Sequence, residues 1–248
     1  MYSQETIQSI INLKNEGLGV CAIAKKLCLD YNTVSKYLKK MGYSTERNPL
    51  IKDIFQTIDS EEKAYWLGFL YADGYVSKVG QIEVSLQLGD IHHLEKLKSF
   101  IKTNTPIIKD EKHNRCRLLF CSKQIAKDLN KLGCYNNKSL TLSFPNKEQV
   151  PDNLLKHFLR GYVDGDGNLT FTDKTFQFGI TGTKAFLEGM LEKLQWEKGN
   201  YRIEGTSGIV YTWRCTKKNI KSYLHFLYDN CSIYLDRKYD KYLAMIAA

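Results

Sequence analysis

The stretch FLRGYVDGDGNLTF (residues 158–171) joins an apolar, helix-like run to a strand-like one through two aspartates interleaved with glycines. Carboxylates are stabilised at helix N-termini and disfavoured at C-termini, where the macrodipole is negative. Asp164 and Asp166 therefore stand at the wrong end of a helix, and something must compensate. Asp-Gly and Gly-Asn are also ordinary turn dipeptides, so a solvated turn is one reading. A calcium loop is another, because Asp164-x-Asp166-x-Asn168 fits the first ligands of an EF-hand. That template needs Gly at its sixth position and Glu at its twelfth; Leu169 and Thr175 stand there, and the loop fails.

The motif occurs twice. AYWLGFLYADGYVS (64–77) superimposes on HFLRGYVDGDGNLT (157–170), with Gly68 on Gly161, Ala72 on Gly165, Asp73 on Asp166 and Gly74 on Gly167, an offset of 93 residues (166 − 73). After each motif comes a run of period two, QIEVSLQLGD (81–90) and TFQFGITGT (175–183), which predicts a half-buried strand. A helix follows in each copy (IHHLEKLKSFIK; KAFLEGMLEKLQWEK), then two more strands, then a helix starting near Ser122 or near Lys217. Each copy ends on a basic segment, NNKSLTLSFP or YLDRKYDKY. The expected class is α+β: two αββαββα halves, 59–150 and 151–248, related by a pseudo-twofold, each with an antiparallel sheet whose outer face is polar.

Gly68 and Ala72 are four residues apart, as are Gly161 and Gly165, so each pair shares one helix face. Small residues at that spacing let two helix backbones approach closely. Two such helices, packed together, would set their C-terminal ends side by side and Asp73 next to Asp166. Two carboxylates and two negative dipole ends repel unless a cation neutralises them. Hard oxygen ligands with room for water suit Mg²⁺, which takes one or two carboxylates plus phosphate oxygens. The bland alternative is a pair of helix ends with solvated acids.

The bulk numbers agree with a nucleic-acid partner without requiring one. The 248 residues carry a formal net charge of +9, which suits a polyanion. No apolar stretch approaches the roughly 20 residues of a membrane span, and the N-terminus lacks a signal-peptide pattern. Seven scattered cysteines without a CxxC pair read as reduced thiols rather than a zinc site.

Residues 4–43 show three short helical stripes: Ile7, Ile10, Ile11 and Leu13, ended by Gly17; Val20, Ile23, Ala24 and Leu27; and Val34, Tyr37, Leu38 and Met41, capped by Asn32 or Thr33. The segment IAKKL…NTVSKYLKKMGY resembles the helix-turn-helix domains of resolvases and bacterial regulators. That resemblance puts Asn32, Thr33, Ser35 and Lys36 in a major groove. A plain three-helix bundle with a solvated lysine face is the alternative. We expect this domain over 1–45 and a linker over 46–58, where Pro49 blocks helix continuation.

WLGFLYADG (66–74) and LRGYVDGDG (159–167) resemble the two signature helices of single-chain LAGLIDADG homing endonucleases, a likeness extending over residues 55–245. Trp66 in place of the first Leu and Tyr71 where the motif often has Asp depart from the pattern without touching the metal positions. The resemblance implies a divalent-metal-dependent endonuclease that hydrolyses both strands of a long DNA site, with Mg²⁺ as cofactor and Mn²⁺ as a substitute. It implies that Asp73 and Asp166 bind the metal, with Gly74 and Gly167 in the same site, and that one lysine per half supports the reaction. By position these are Lys138 and Lys238, with Lys241 a rival in the second half. It implies that the strand faces enter the major groove. Strand alternation then nominates Gln81, Glu83, Ser85, Gln87, Arg115 and Arg117 in the first half, and Thr170, Thr172, Gln177, Arg202 and Arg214 in the second. Double-stranded DNA is the expected partner of a monomer, in a cytoplasmic, nucleoid-associated or organellar-matrix setting and not secreted. A non-cleaving DNA-binding regulator or an intron RNA-splicing maturase on the same scaffold is the rival reading. An intein is set aside, because Met1 and Ala247-Ala248 lack splicing chemistry.

Overall fold

The computed structural model describes residues 2–16, 18–43, 50–172, 175–197, 200–204 and 210–247, with side chains at 171, 172, 175 and 200–204 left undescribed. The chain divides into two compact units, Met1–Leu50 with Lys102–Asn104, and the remainder. Gly17 and Pro49, expected as a helix stop and a linker breaker, lie outside the described residues.

In the first unit, α1 (Gln4–Asn15), α2 (Val20–Lys26) and α3 (Tyr31–Lys40) enclose a small core of Ile10, Leu13, Val20, Ile23, Ala24, Val34 and Leu38. The cap of α3 is Asp30, not Asn32 or Thr33. Its carboxylate accepts from the Asn32 amide at 2.7 Å and the Thr33 amide at 3.3 Å, filling two of the donors a helix start leaves open. One expected contact also changes: Ser35 is buried beside Val34, whereas Asn32 and Lys36 are exposed and Thr33 is half-buried.

The second unit begins at Ile51, inside the stretch expected as a linker, and residues there are packed: Ile54, Phe55 and Ile58 are buried, and the Phe55 ring meets Phe100 edge-on at 5.8 Å. Residues 46–49 of that stretch lie outside the described residues. Then come α4 (Glu61–Asp73), β1 (Gly74–Val76), β2 (Gln81–Gln87), α5 (Ile91–Phe100), β3 (Ile108–Asp110), β4 (Arg115–Cys121) and α6 (Lys123–Lys131). The order repeats in α7 (Leu155–Asp166), β5 (Gly167–Thr172), β6 (Thr175–Thr183), α8 (Lys184–Leu194), β7 (Asn200–Glu204), β8 (Val210–Arg214) and α9 (Ile220–Tyr228), with α10 (Asp236–Ala247) added. Both sheets are antiparallel, with strand orders β1-β2-β4-β3 and β5-β6-β8-β7. The mixed helix and sheet class is as the sequence predicts. The helix expected near Lys217 starts with a 3-10 turn over Lys217–Asn219, and the basic tail YLDRKYDKY runs into α10. Among the described residues, no helix is long and apolar enough to cross a membrane.

Alternation in β2 works as read: Ile82, Val84 and Leu86 are buried while Gln81, Glu83, Ser85 and Gln87 take the other face. In the second sheet Leu169, Phe178, Ile180 and Trp213 are the inward set. The outer faces are therefore polar because every second residue must leave the core.

Candidate active site

The α4–α7 pair is the centre of the unit, and glycine makes it possible. A Cβ on Gly68 would lie 1.9 Å from the Phe158 carbonyl oxygen, and one on Gly161 would lie 1.9 Å from that of Tyr65. The two contacts are the same contact seen from each helix, since both Gly161/Gly68 and Phe158/Tyr65 are 93 apart (161 − 68; 158 − 65). Further along, a Cβ on Gly165 would strike the Ala72 methyl at 2.3 Å and approach the Asp73 carboxylate at 3.1 Å. The helices thus touch along their small-residue faces and end together, each on its aspartate.

Ser60 caps α4 through the Lys63 amide, and Glu61 and Glu62 occupy its favourable first turn. Both helices pass directly into a strand. Gly74 (φ −81°, ψ 135°) and Gly167 (φ −80°, ψ 142°) are extended, so neither Asp-Gly pair is a glycine turn. Glycine is needed there for space: an added Cβ would meet the Leu70 carbonyl oxygen at 2.6 Å or that of Val163 at 2.4 Å.

Two lysines answer the question of acid at a helix end. Lys138 donates to the Gly74 carbonyl, and Lys238 donates to the carbonyls of Val163 (2.5 Å), Gly167 (2.8 Å) and Gly165 (3.3 Å). Both lysines are buried. Lys138 thus takes the carbonyl of the α4 cap residue and Lys238 three carbonyls around the end of α7, and each ammonium group opposes a negative dipole end. Lys241, the rival, is exposed and donates to the carbonyl of Leu169 at 2.9 Å, two strand residues beyond Gly167. The carbonyls of Gly74 and Gly167, expected within a metal site, are engaged by these ammonium groups.

Electrostatics couple the four side chains. Burial and then the charge of Asp73 hold the Asp166 carboxyl up at about 6, while Lys238 and Lys138 pull it down in part. Asp73 remains open to solvent in area, yet the protein packed around its carboxyl raises it as well, against Lys238, Lys138 and Arg237. Burial brings Lys238 down to about 8 despite the neighbouring carboxylates. Among the described residues, no group of three His, Cys, Asp or Glu side chains converges. Two carboxylates without a third protein ligand, held in mutual repulsion, fit a hard divalent cation that completes its shell with water and phosphate oxygens.

Asp164 has a different role. It is fully buried in α7 and accepts from the hydroxyls of Tyr65 and Tyr228, each at 2.6 Å, and from the Leu235 amide at 2.7 Å. Beside it Arg160, also fully buried, donates to the Ile233 and Leu227 carbonyls and pairs with Glu61 at 2.7 Å. This network ties α7 to the chain around residues 227–235. At the matching position in the first half, the Tyr71 hydroxyl donates to the Leu132 carbonyl.

The predicted strand residues fall on the polar faces next to this centre. In the first sheet Ser85 pairs with Arg117 and Gln87 with Arg115, and Glu83 lies 4.0 Å from the Arg117 guanidinium. In the second, Thr170 pairs with Gln177 and Gly179 with Arg214. Thr172 and Arg202 hold register positions on the same face, opposite Thr175 and Thr212, but their side chains lie outside the described residues. Two further residues, outside the predicted set, stand at this centre. Tyr75, opposite Glu83, is 47% exposed on this face right after the first motif, and the Gly-Tyr-Val alternation carries its signal. Arg237, next to Lys238, lines a cavity of about 430 Å³ with Asp73 and Gly165.

No family model and no curated protein matches the sequence. Solved structures do. The I-LtrWI LAGLIDADG homing endonuclease bound to target DNA is similar over 79% of this chain and 91% of its own, at 15% identity and a TM-score of 0.50. The I-GzeII LAGLIDADG homing endonuclease in complex with a DNA target is similar over 75% and 88%, at 14% identity and a TM-score of 0.51. The chain has the LAGLIDADG homing endonuclease fold. The meganuclease I-SmaMI, bound to uncleavable DNA, is similar over 76% of this chain and 90% of its own, at 15% identity and a TM-score of 0.50. In the LAGLIDADG fold described here the two motif helices are α4 and α7.

Proposed function

We propose that the chain is a sequence-specific DNA endonuclease that hydrolyses phosphodiester bonds on both strands of a long duplex site, using Mg²⁺ or Mn²⁺. The observation that carries this reading is the convergence of Asp73 and Asp166 at the joined ends of α4 and α7, between two polar strand faces. Asp73 and Asp166 would hold the cation. When bound, it would supply Lewis-acid polarisation of a phosphate oxygen and lower the pKa of water. Lys138 and Lys238 position the helix ends and place positive charge where a phosphate gathers negative charge. The pseudo-twofold relation of the halves matches the two strands of a duplex. The strand side chains read base edges, Arg and Gln in particular, and surrounding lysines meet phosphates.

In the same reading the N-terminal unit is a helix-turn-helix DNA-binding domain that presents Asn32, Thr33 and Lys36, without Ser35. The protein acts as a monomer within a DNA-containing compartment. Incubating the full chain with a randomised duplex library and Mg²⁺, then sequencing the cut ends, tests the function. Enrichment of one long site, cut by the wild type and untouched by Asp73→Asn or Asp166→Asn, is the expected result. Cleavage that survives both substitutions would overturn the assignment.

A further inference from the structure

The two halves are not equivalent around their aspartates, and the difference is an arginine. Lys138 and Lys238 occupy matching places, since each reaches the carbonyl of the glycine that follows its motif aspartate. The preceding residues are Asn137, exposed and in the left-handed conformation (φ 60°), and Arg237, on the first turn of α10. Arg237 Nε donates to Asp90 Oδ2 at 2.9 Å; the Asp90 side chain is 10% exposed and that of Arg237 is 49%. Asp90 follows Asp73 by 17 residues (90 − 73), and the same step from Asp166 (183 − 166) leads to Thr183. The Thr183 hydroxyl donates to the Leu142 carbonyl and caps α8, so among the described residues the Asp166 side of the centre has no clipped pair like that of Arg237 and Asp90. The cavity that Arg237 enters also contains Asp73, Gln87, Arg115 and Gly165.

We propose that Arg237 is a phosphate-binding residue that serves one DNA strand only, reaching from the second half into the Asp73 side of the centre. This rests on the DNA-endonuclease reading above. Because Asp90 takes Nε, the two Nη groups remain to grip a phosphate in bidentate fashion, and their direction is set before DNA arrives. Beyond the two lysines, the Asp73 side carries a further fixed positive charge, and among the described residues no arginine is clipped in that way beside Asp166, so the two strands meet different phosphate environments.

The test begins by selecting a duplex from a randomised library by its binding to the full chain in EDTA. Single phosphates across its centre are then replaced by neutral methylphosphonates, one strand at a time. At one position on one strand, the neutral linkage should weaken wild-type binding at least five-fold and R237Q binding less than two-fold. R237K should fall between them, and D90N, which loses the clip but keeps the guanidinium, should retain the position-specific effect. If Arg237 only clips α10 to the first half, R237Q and D90N weaken binding alike with no position singled out, and the inference is overturned. A chain that selects no duplex at all overturns the proposed function together with it; a selected duplex without a coupled phosphate overturns the arginine alone.

Discussion

Gly68 lies against Phe158 so closely that a single added carbon would sit 1.9 Å from the Phe158 carbonyl oxygen. Both partners are backbone, so relief can come only from parting α4 and α7. G68A and G161A should each destabilise the fold by about 3 kcal/mol, the upper end of overpacking penalties. Urea unfolding of the full chain checks this. A loss below about 1 kcal/mol would show that the helix pair yields easily.

Asp166 is held above the ordinary carboxylate range, so the folded state binds a proton that the unfolded state has already released. The sign follows: the charged pair is a full penalty above pH 6 and is relieved as pH falls from 6 toward 4. Without metal, D166N should raise Tm at pH 7 by about 3 °C, and the gain should vanish near pH 4. Calorimetry in EDTA at the two pH values measures it. Mg²⁺ should raise the wild-type Tm at pH 7 and leave that of D166N unmoved.

Cleavage should depend on pH as a bell. Its acid limb reflects deprotonation of Asp166 near 6, shifted downward by bound metal, and its alkaline limb reflects loss of the Lys238 ammonium near 8. Lys238→Met should remove the alkaline limb together with most of the rate. Single-turnover rates from pH 5 to 9.5 would test it; an alkaline limb that persists in the variant would assign it elsewhere.

Asp164 is expected to matter for folding and not for metal. D164A leaves two tyrosine hydroxyls and the Leu235 amide without their acceptor and should cost about 3 kcal/mol. The milder D164N should bind Mn²⁺ as the wild type does, in contrast to D166N. Titration calorimetry separates the two, and equal loss in both would place Asp164 in the metal site.

Deleting residues 1–45 should weaken DNA binding and keep metal-dependent cutting. A well-folded truncation that no longer cuts its duplex would show that the N-terminal unit is needed for chemistry.

Much of the site was legible because the same pattern appears twice. The small-residue spacing pointed to the close helix pair, and period two pointed to the strand faces, both properties of local geometry that composition cannot mimic for long. Ser35 is expected outside because a serine carries no apolar signal, yet it lies next to Val34 and three residues before Leu38, on the buried side of α3. The burial of Ile54, Phe55 and Ile58 leaves no trace in the sequence because three apolar residues are too few to show a period, and only packing reveals it.

By itself, then, the chain of 248 residues determined the duplicated plan, the paired helices and the two aspartates, since those follow from spacing along a helix or strand. Only the tertiary structure decided that Asp164 is a buried acceptor while Asp166, two residues on, stays beside Asp73. It also buried Lys238 against the carbonyls of Val163 and Gly167 while leaving Lys241 exposed, and it brought Arg237 against Asp90 across 147 residues. Those choices depend on which remote groups meet in the packed core, and neighbours in space leave no period in the sequence.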